Sequence, residues 1–301
     1  MPRNHSETYA IPEFGTSFTR QMLDDTKPDK FADLVRISGF SHGTDVWLNN
    51  AQDYIRSGTA TMREVISTRD DIMNYLILKG VENETAFKIM EIVRKGKKDL
   101  DDEQVATMKE HNVPDWYIDS CNKIKYMFPR AHAVAYTMMS FRMAWYKVYY
   151  PQEFYATYFT TKVANFDAET ILKGKDAILA KMEEIDAKGT NAAPKEKDDY
   201  TIYEVAYEMY ARGYEFTPAR LGKSLATKFS VDNGKVLLPF VAIEGVGENA
   251  AKAFQSEYEI KEFDTVEEAV KRAKLNRTAV EGLRNHGVFE GLAETDQLSM
   301  F

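Results

Sequence analysis

The stretch Ile243-Glu244-Gly245-Val246-Gly247 decides how this chain is read. An apolar residue, a glycine, an apolar residue and a second glycine are followed by a run that opens with small residues at Ala250 and Ala253. That is the helix-hairpin-helix pattern. The glycines permit a positive-φ turn and close approach to a phosphate, and the amides of the new helix then point at the anion. The pattern therefore predicts that Gly245, Val246, Gly247, Glu248 and Asn249 grip the backbone of duplex DNA without reading its sequence. The plainer alternative is a helix-helix turn that uses two glycines for packing alone.

Helical patterns at 248–257, 265–273 and 277–285 follow, and the stretch from Arg277 to Leu292, with Arg284-Asn285-His286-Gly287-Val288-Phe289 near its end, is expected beside the first hairpin as a degenerate second one. Upstream, Phe229-Ser230-Val231 and Val236-Leu237-Leu238 flank Asn233-Gly234, a dipeptide favoured in tight hairpin turns. Further back, the polar stretch 189–197 with Pro194 is the expected interdomain joint.

From Gly15 to about Asp186 the spacing of apolar residues is helical, as at Phe31, Leu34, Val35 and Phe40. The longest helix is expected from near Pro129 to Tyr150, ahead of Pro151. On a 3.6-residue repeat His132, Tyr136, Met143 and Lys147 fall in one stripe roughly 60° wide. Residues 120–152 contain no Asp or Glu, yet include Lys123, Lys125, Arg130, Arg142 and Lys147. Either this is a basic face for an anion, or it is a buried helix with snorkelling cations. The fold class is accordingly mainly α: a helical domain, then a small α+β duplex-binding domain carrying the hairpin.

Composition narrows the class further. With 44% hydrophobic and 29% charged residues, the chain suits a globular protein. Its net charge of -8 argues against coating DNA by bulk charge. The one cysteine, Cys121, excludes an intrachain disulfide framework. The first thirty residues hold no apolar run, so a soluble, cytoplasmic protein with no membrane partner is expected.

Three motifs point elsewhere and are weak. Gly39-Phe40-Ser41-His42-Gly43 fits a hydrolase nucleophile elbow, but only 40 residues precede Ser41 and they read as helix. Beside Arg36, it better suits a polar loop that holds phosphate oxygens. Gly222-Lys223-Ser224 resembles the end of a phosphate loop, but the position of its first glycine is Thr217. Asp99-Leu100-Asp101 reads as a helix cap rather than a metal site, and a single cysteine leaves no zinc-ligand spacing.

Taken together, several segments resemble the C-terminal part of the PolC-type DNA polymerase III alpha subunits. They are Ile11-Pro12-Glu13-Phe14-Gly15-Thr16, the run from Leu34 through Arg36-Ile37-Ser38-Gly39-Phe40-Ser41-His42-Gly43-Thr44 to Leu48, and Tyr126-Met127-Phe128-Pro129-Arg130-Ala131-His132-Ala133-Val134-Ala135-Tyr136. The hairpin and the closing Gln297-Leu298-Ser299-Met300-Phe301 complete the set, while residues 1–10 match less well. The resemblance implies a lead-in at 1–13, fingers at 14–190, a duplex-binding region at 191–292 and a sliding-clamp-binding tail at 293–301. It also implies that Arg36, Ser38, Ser41, His42 and Thr44 contact the incoming deoxynucleoside triphosphate, supported by Arg130, His132 and Lys147. The clamp would be held by Gln297, Leu298, Ser299, Met300 and Phe301. No cofactor is expected on this chain. The Mg²⁺ ions of the full enzyme would sit in an upstream palm, so the chain alone is expected to be inactive. A free-standing DNA-binding scaffold is the alternative.

Overall fold

The computed structural model describes residues 7–295. They form two compact units that part after Ala144, inside one long helix.

The first unit is helical: α1 (Ser17–Thr26), α2 (Phe31–His42), α3 (Gln52–Arg56), α4 (Arg69–Leu78), α5 (Asn83–Lys95), α6 (Asp102–Glu110), α7 (Asp115–Lys123) and the start of α8 (Arg130–Tyr149). Local chemistry sets many of the boundaries. Thr16 caps α1, Glu82 caps α5, and Asp101 caps α6 by accepting from the Gln104 amide at 2.9 Å. Asp101 is therefore the helix cap that the sequence suggested. Gly96 closes α5 with φ +54, and its backbone lies against Lys125 so tightly that a Cβ has no room.

The core of this unit is built from Ile37 and Phe40 on α2, Ile72 and Leu76 on α4, Ile89 on α5 and Tyr117 on α7. Within the described part of the expected lead-in, Tyr9 and Ile11 are buried. Buried Asp33 accepts from Arg63 at 3.0 and 2.8 Å, and this guanidinium holds its carboxyl well below the usual carboxylate range.

The second unit takes the end of α8, then α9 (Pro151–Thr161), α10 (Ala168–Leu172), α11 (Lys175–Lys188), α12 (Pro194–Ala211) and a small sheet. The polar stretch 189–197 lies inside this unit. It is a short 3₁₀ turn and the first turn of α12, joining two helices packed on each other.

The sheet has the order β1-β3-β2, with β1 (Phe216–Thr217) parallel and β2 (Ser230–Asp232) antiparallel to β3 (Lys235–Leu237). Asn233 at φ +50 and Gly234 at φ +77 make the tight turn between β2 and β3. β1 is too short to announce itself by alternation. Phe216, Phe229, Phe159 and Phe166 pack edge to face behind the sheet, with ring centres 4.8–6.4 Å apart. The chain closes with α13 (Glu248–Ile260), α14 (Val266–Ala273) and α15 (Arg277–Asn285). No helix among the described residues is long and apolar enough to cross a membrane.

Candidate nucleic-acid interface and nucleotide-facing surface

The hairpin is built as the sequence requires, except that its first helix is only a 3₁₀ turn, Phe240–Ala242. Ile243 and Val246 are buried and pin the turn, while Glu244, Gly245, Gly247, Glu248 and Asn249 face solvent. Gly245 has φ +84, and a Cβ there would lie 2.8 Å from both the Thr278 carbonyl and its methyl group. The backbone of α15 therefore closes against the turn. Gly282 repeats the device, since a Cβ there would collide with the Glu244 carbonyl.

Gly247 differs. It is the N-cap of α13, at an ordinary φ of -70, with open space where a Cβ would stand. No side chain caps this helix start. Glu248 places an acid at the anion-binding end, but its carboxylate pairs with Lys252 one turn on. That lysine holds the Glu248 carboxyl below its usual range. The first amides of α13 thus face solvent with the positive end of the helix dipole behind them.

A second turn repeats this geometry, though not where the sequence placed it. Lys274 (φ +52) is left-handed as Gly245 is, Leu275 is buried as Val246 is, and the N-cap Asn276 (φ -78, ψ 169) has the extended backbone of Gly247 (φ -70, ψ 159). Without glycines this turn gives no pattern to search for. Asn276 also caps its own helix, accepting from the Ala279 amide at 2.8 Å, so it does not leave the helix start open. Of the stretch expected as a second hairpin, residues 277–292, α15 does pack beside the first turn through Thr278 and Gly282, but residues 284–289 are the C-terminal cap of α15, with Gly287 at φ +72 and the Val288 amide donating to the Leu283 carbonyl.

In the first unit, residues 39–42 are not a phosphate-cradling loop. They are the last turn of α2, where carbonyls rather than amides are left over. The two glycines serve packing. A Cβ on Gly39 would lie 2.7 Å from the Ser67 carbonyl, and one on Gly43 would lie 2.9 Å from the Tyr126 carbonyl. Ser38 is buried, and its hydroxyl has no hydrogen-bond partner among the described residues. Ser41 donates to the Ser38 carbonyl at 3.1 Å. Thr44 joins the Lys125–Tyr126 backbone, its amide donating to the Tyr126 carbonyl at 2.9 Å.

Four of the expected residues do come together. His42 is held at both ring nitrogens, by the Ser38 carbonyl at 2.8 Å and by Glu13 at 2.6 Å. Its face stacks on Phe128 at 4.8 Å and on Tyr136 at 5.9 Å, with His132 beside Phe128 at 5.5 Å. Arg36 and Arg130 flank the Asp71 carboxylate at 3.6 and 3.7 Å. Asp71 was not foreseen, although its spacing after Thr68 is that of a capping pair and the two do form a capping box. The result is a half-buried aromatic stack, exposed at Tyr136, next to two guanidiniums that share one carboxylate.

Lys147 is turned inward. It is 4% exposed, pairs with Glu208 at 2.7 Å, and lies beyond the point where the units part. Its stripe is therefore corrected: the buried line of α8 is Ala133, Thr137, Ser140 and Lys147, while His132 and Tyr136 lie exposed beside it. Gln297, Leu298, Ser299, Met300 and Phe301 lie outside the described residues.

Comparison with known proteins finds matches to both regions. Residues 3–113 match the bacterial DNA polymerase III alpha subunit finger domain, and residues 213–298 match a helix-hairpin-helix motif. The chain carries both domains, in that order. It is 55% identical to the PolC-type DNA polymerase III of Clostridium perfringens and 52% identical to that of Bacillus subtilis, over 98% of its own length and 20% of theirs. It is 49% identical to that of Thermotoga maritima, over 98% of its length and 21% of the relative's. The chain thus spans about one-fifth of the curated relatives that it matches. The finger-domain match reaches back to residue 3, ahead of Ile11 where the resemblance was expected to begin. Of the residues gathered above, Glu13, Arg36, His42 and Asp71 fall inside that match, whereas Phe128, Arg130, His132 and Tyr136 follow it on α8 and the short segment before it.

Proposed function

We propose that this chain is the nucleotide-positioning and duplex-gripping part of a bacterial replicative DNA polymerase of the PolC type. The observation that carries the reading is the solvent-facing, uncapped start of α13 behind a glycine turn that only Gly245 can make. Amides so arranged hold a phosphate oxygen and read no base.

In the first unit, the stack of His42, Phe128 and Tyr136 beside Arg36 and Arg130 supports a second role, that of placing an incoming deoxynucleoside triphosphate. Aromatic faces suit a base, and guanidiniums suit phosphate oxygens. Asp71 neutralises part of that charge until a triphosphate competes for the arginines. Phosphoryl transfer itself needs Mg²⁺ held by acids, and those belong to a palm contributed by the rest of the polypeptide. Gln297, Leu298, Ser299, Met300 and Phe301 are proposed to dock on the sliding clamp as an extended peptide. The setting is the bacterial cytoplasm.

Two results are expected of the purified chain. It binds duplexes of unrelated sequence alike, with affinity falling steeply as salt rises. It also incorporates no nucleotide on a primed template with Mg²⁺. Fluorescence anisotropy and primer extension check them. Salt-insensitive, sequence-selective binding would favour a free-standing DNA-binding scaffold, and primer extension by the chain alone would place the chemistry within it.

A further inference from the structure

The second unit holds a cavity of about 420 Å³ between the end of α13 and the segment ahead of β2, and neither proposed role uses it. Buried Phe240, the Tyr258 ring and Gly222 line it. The glycine is left-handed at φ +72, and a Cβ there would stand 3.1 Å from the Tyr258 ring. Leu225 and Ile260 line the cavity too, although they are 39% and 75% exposed. Exposed apolar side chains gathered around one concavity mark a docking site.

The polar groups select the occupant. Gly222-Lys223-Ser224 resembles part of a phosphate loop, but it is not set for phosphate. The buried Ser224 hydroxyl is engaged, donating to the Leu238 carbonyl at 2.7 Å and accepting from the Arg220 amide at 2.9 Å. Of the lysines lining the cavity, Lys261 pairs with Asp264 and Glu268 at 3.1 and 3.3 Å, and Lys223 lies 3.9 Å from Asp232. Glu259 and Glu262 line it as well. Acids beside cations that already have partners offer a phosphate chain no net attraction. Apolar side chains carried on a short peptide fit this lining better.

The chain supplies such a peptide within reach. In the first turn of α14 the Glu267 amide donates to the Glu294 carbonyl at 3.1 Å, and the next residue, Glu268, pairs with Lys261 of the cavity. The described chain therefore ends one residue past a point held close to the cavity wall. The six residues beyond it, 296–301, span up to roughly 20 Å when extended. Leu298 and Met300 fall on one side of such a peptide. We infer that Leu298 and Met300 dock in this cavity, so that the chain masks its own clamp-binding tail until a clamp competes for it. The docking stands by itself, while the masking rests on the clamp reading above.

Amide chemical shifts test the docking, in the chain and in a form ending at Thr295. Loss of the tail is expected to move the amides of residues 221–225 and 258–262, and a synthetic peptide of residues 296–301 to move them back. Leu298→Ser/Met300→Ser should act as the truncation does. Cavity amides that are the same with and without the tail overturn the inference, and so do tail-dependent shifts that grow with chain concentration, which would mean a second copy. Added clamp should return the cavity amides of the full chain to their tail-less positions. Ile260→Asp or Leu225→Asp, both at exposed positions, should tighten clamp binding about fivefold, as for a tail masked about four-fifths of the time. A docked tail that binds no clamp keeps the docking and rejects the clamp reading. Clamp binding that neither variant alters, with the cavity amides unmoved by the clamp, keeps the clamp reading and rejects the masking.

Discussion

Gly245→Ala is expected to weaken duplex binding at least tenfold and to lower stability, while Gly247→Ala leaves the fold nearly untouched. The two glycines look alike in sequence and differ in physics. At position 245 the backbone is left-handed, at φ +84, which costs an L-residue about 1–2 kcal/mol. A Cβ there also meets the Thr278 carbonyl at 2.8 Å, so α15 must be pushed off the turn that it supports. At position 247 the φ is -70 and the Cβ direction is open. The cost there is that of replacing a glycine N-cap by alanine, under about 1 kcal/mol. Thermal unfolding and anisotropy on a labelled duplex check both variants. Equal loss of stability in the two would mean that the turn is not held as described.

Lys147→Met is the second large expected effect. It removes the charge that balances Glu208, and both side chains lie at or below 10% exposure. Breaking a buried pair by deleting one partner costs about 3–5 kcal/mol. The lower end is expected, because Arg212 donates to the Tyr155 hydroxyl, which in turn donates to Glu208 at 2.6 Å, leaving a cation nearby. The double variant Lys147→Met/Glu208→Leu should recover about half of that loss, since no unpaired buried charge is left. Denaturant unfolding of the four forms gives the coupling. Additive losses would show that the pair does not act as one. No change in nucleotide affinity is expected beyond what stability accounts for.

Features written in a few neighbouring residues were legible in the sequence. The glycine hairpin, the Asn233-Gly234 turn, the Asp101 cap and the span of α8 each depend on local backbone preferences, and each stands where expected. What the sequence concealed depends on partners far along the chain. Gly39 and Gly43 read as loop glycines, yet they exist because Ser67 and Tyr126 approach too closely for a side chain. Lys147 read as a ligand because its partner lies 61 residues on, at Glu208. The turn at Lys274-Leu275-Asn276 shares the hairpin's left-handed and extended positions without sharing its residues. The division after Ala144 falls inside a continuous helix, where no change of composition marks it.

The central claim is that the open amides of the hairpin take hold of a DNA phosphate. Amide chemical-shift mapping of the isotope-labelled chain during titration with duplex DNA tests it most directly. The largest shifts are expected on the amides of Gly245, Gly247, Glu248 and Asn249, since the Val246 amide already donates to the Ile243 carbonyl; the pattern is the same for two unrelated sequences and fades as salt rises. Unmoved amides at these four positions while the duplex binds elsewhere would contradict it.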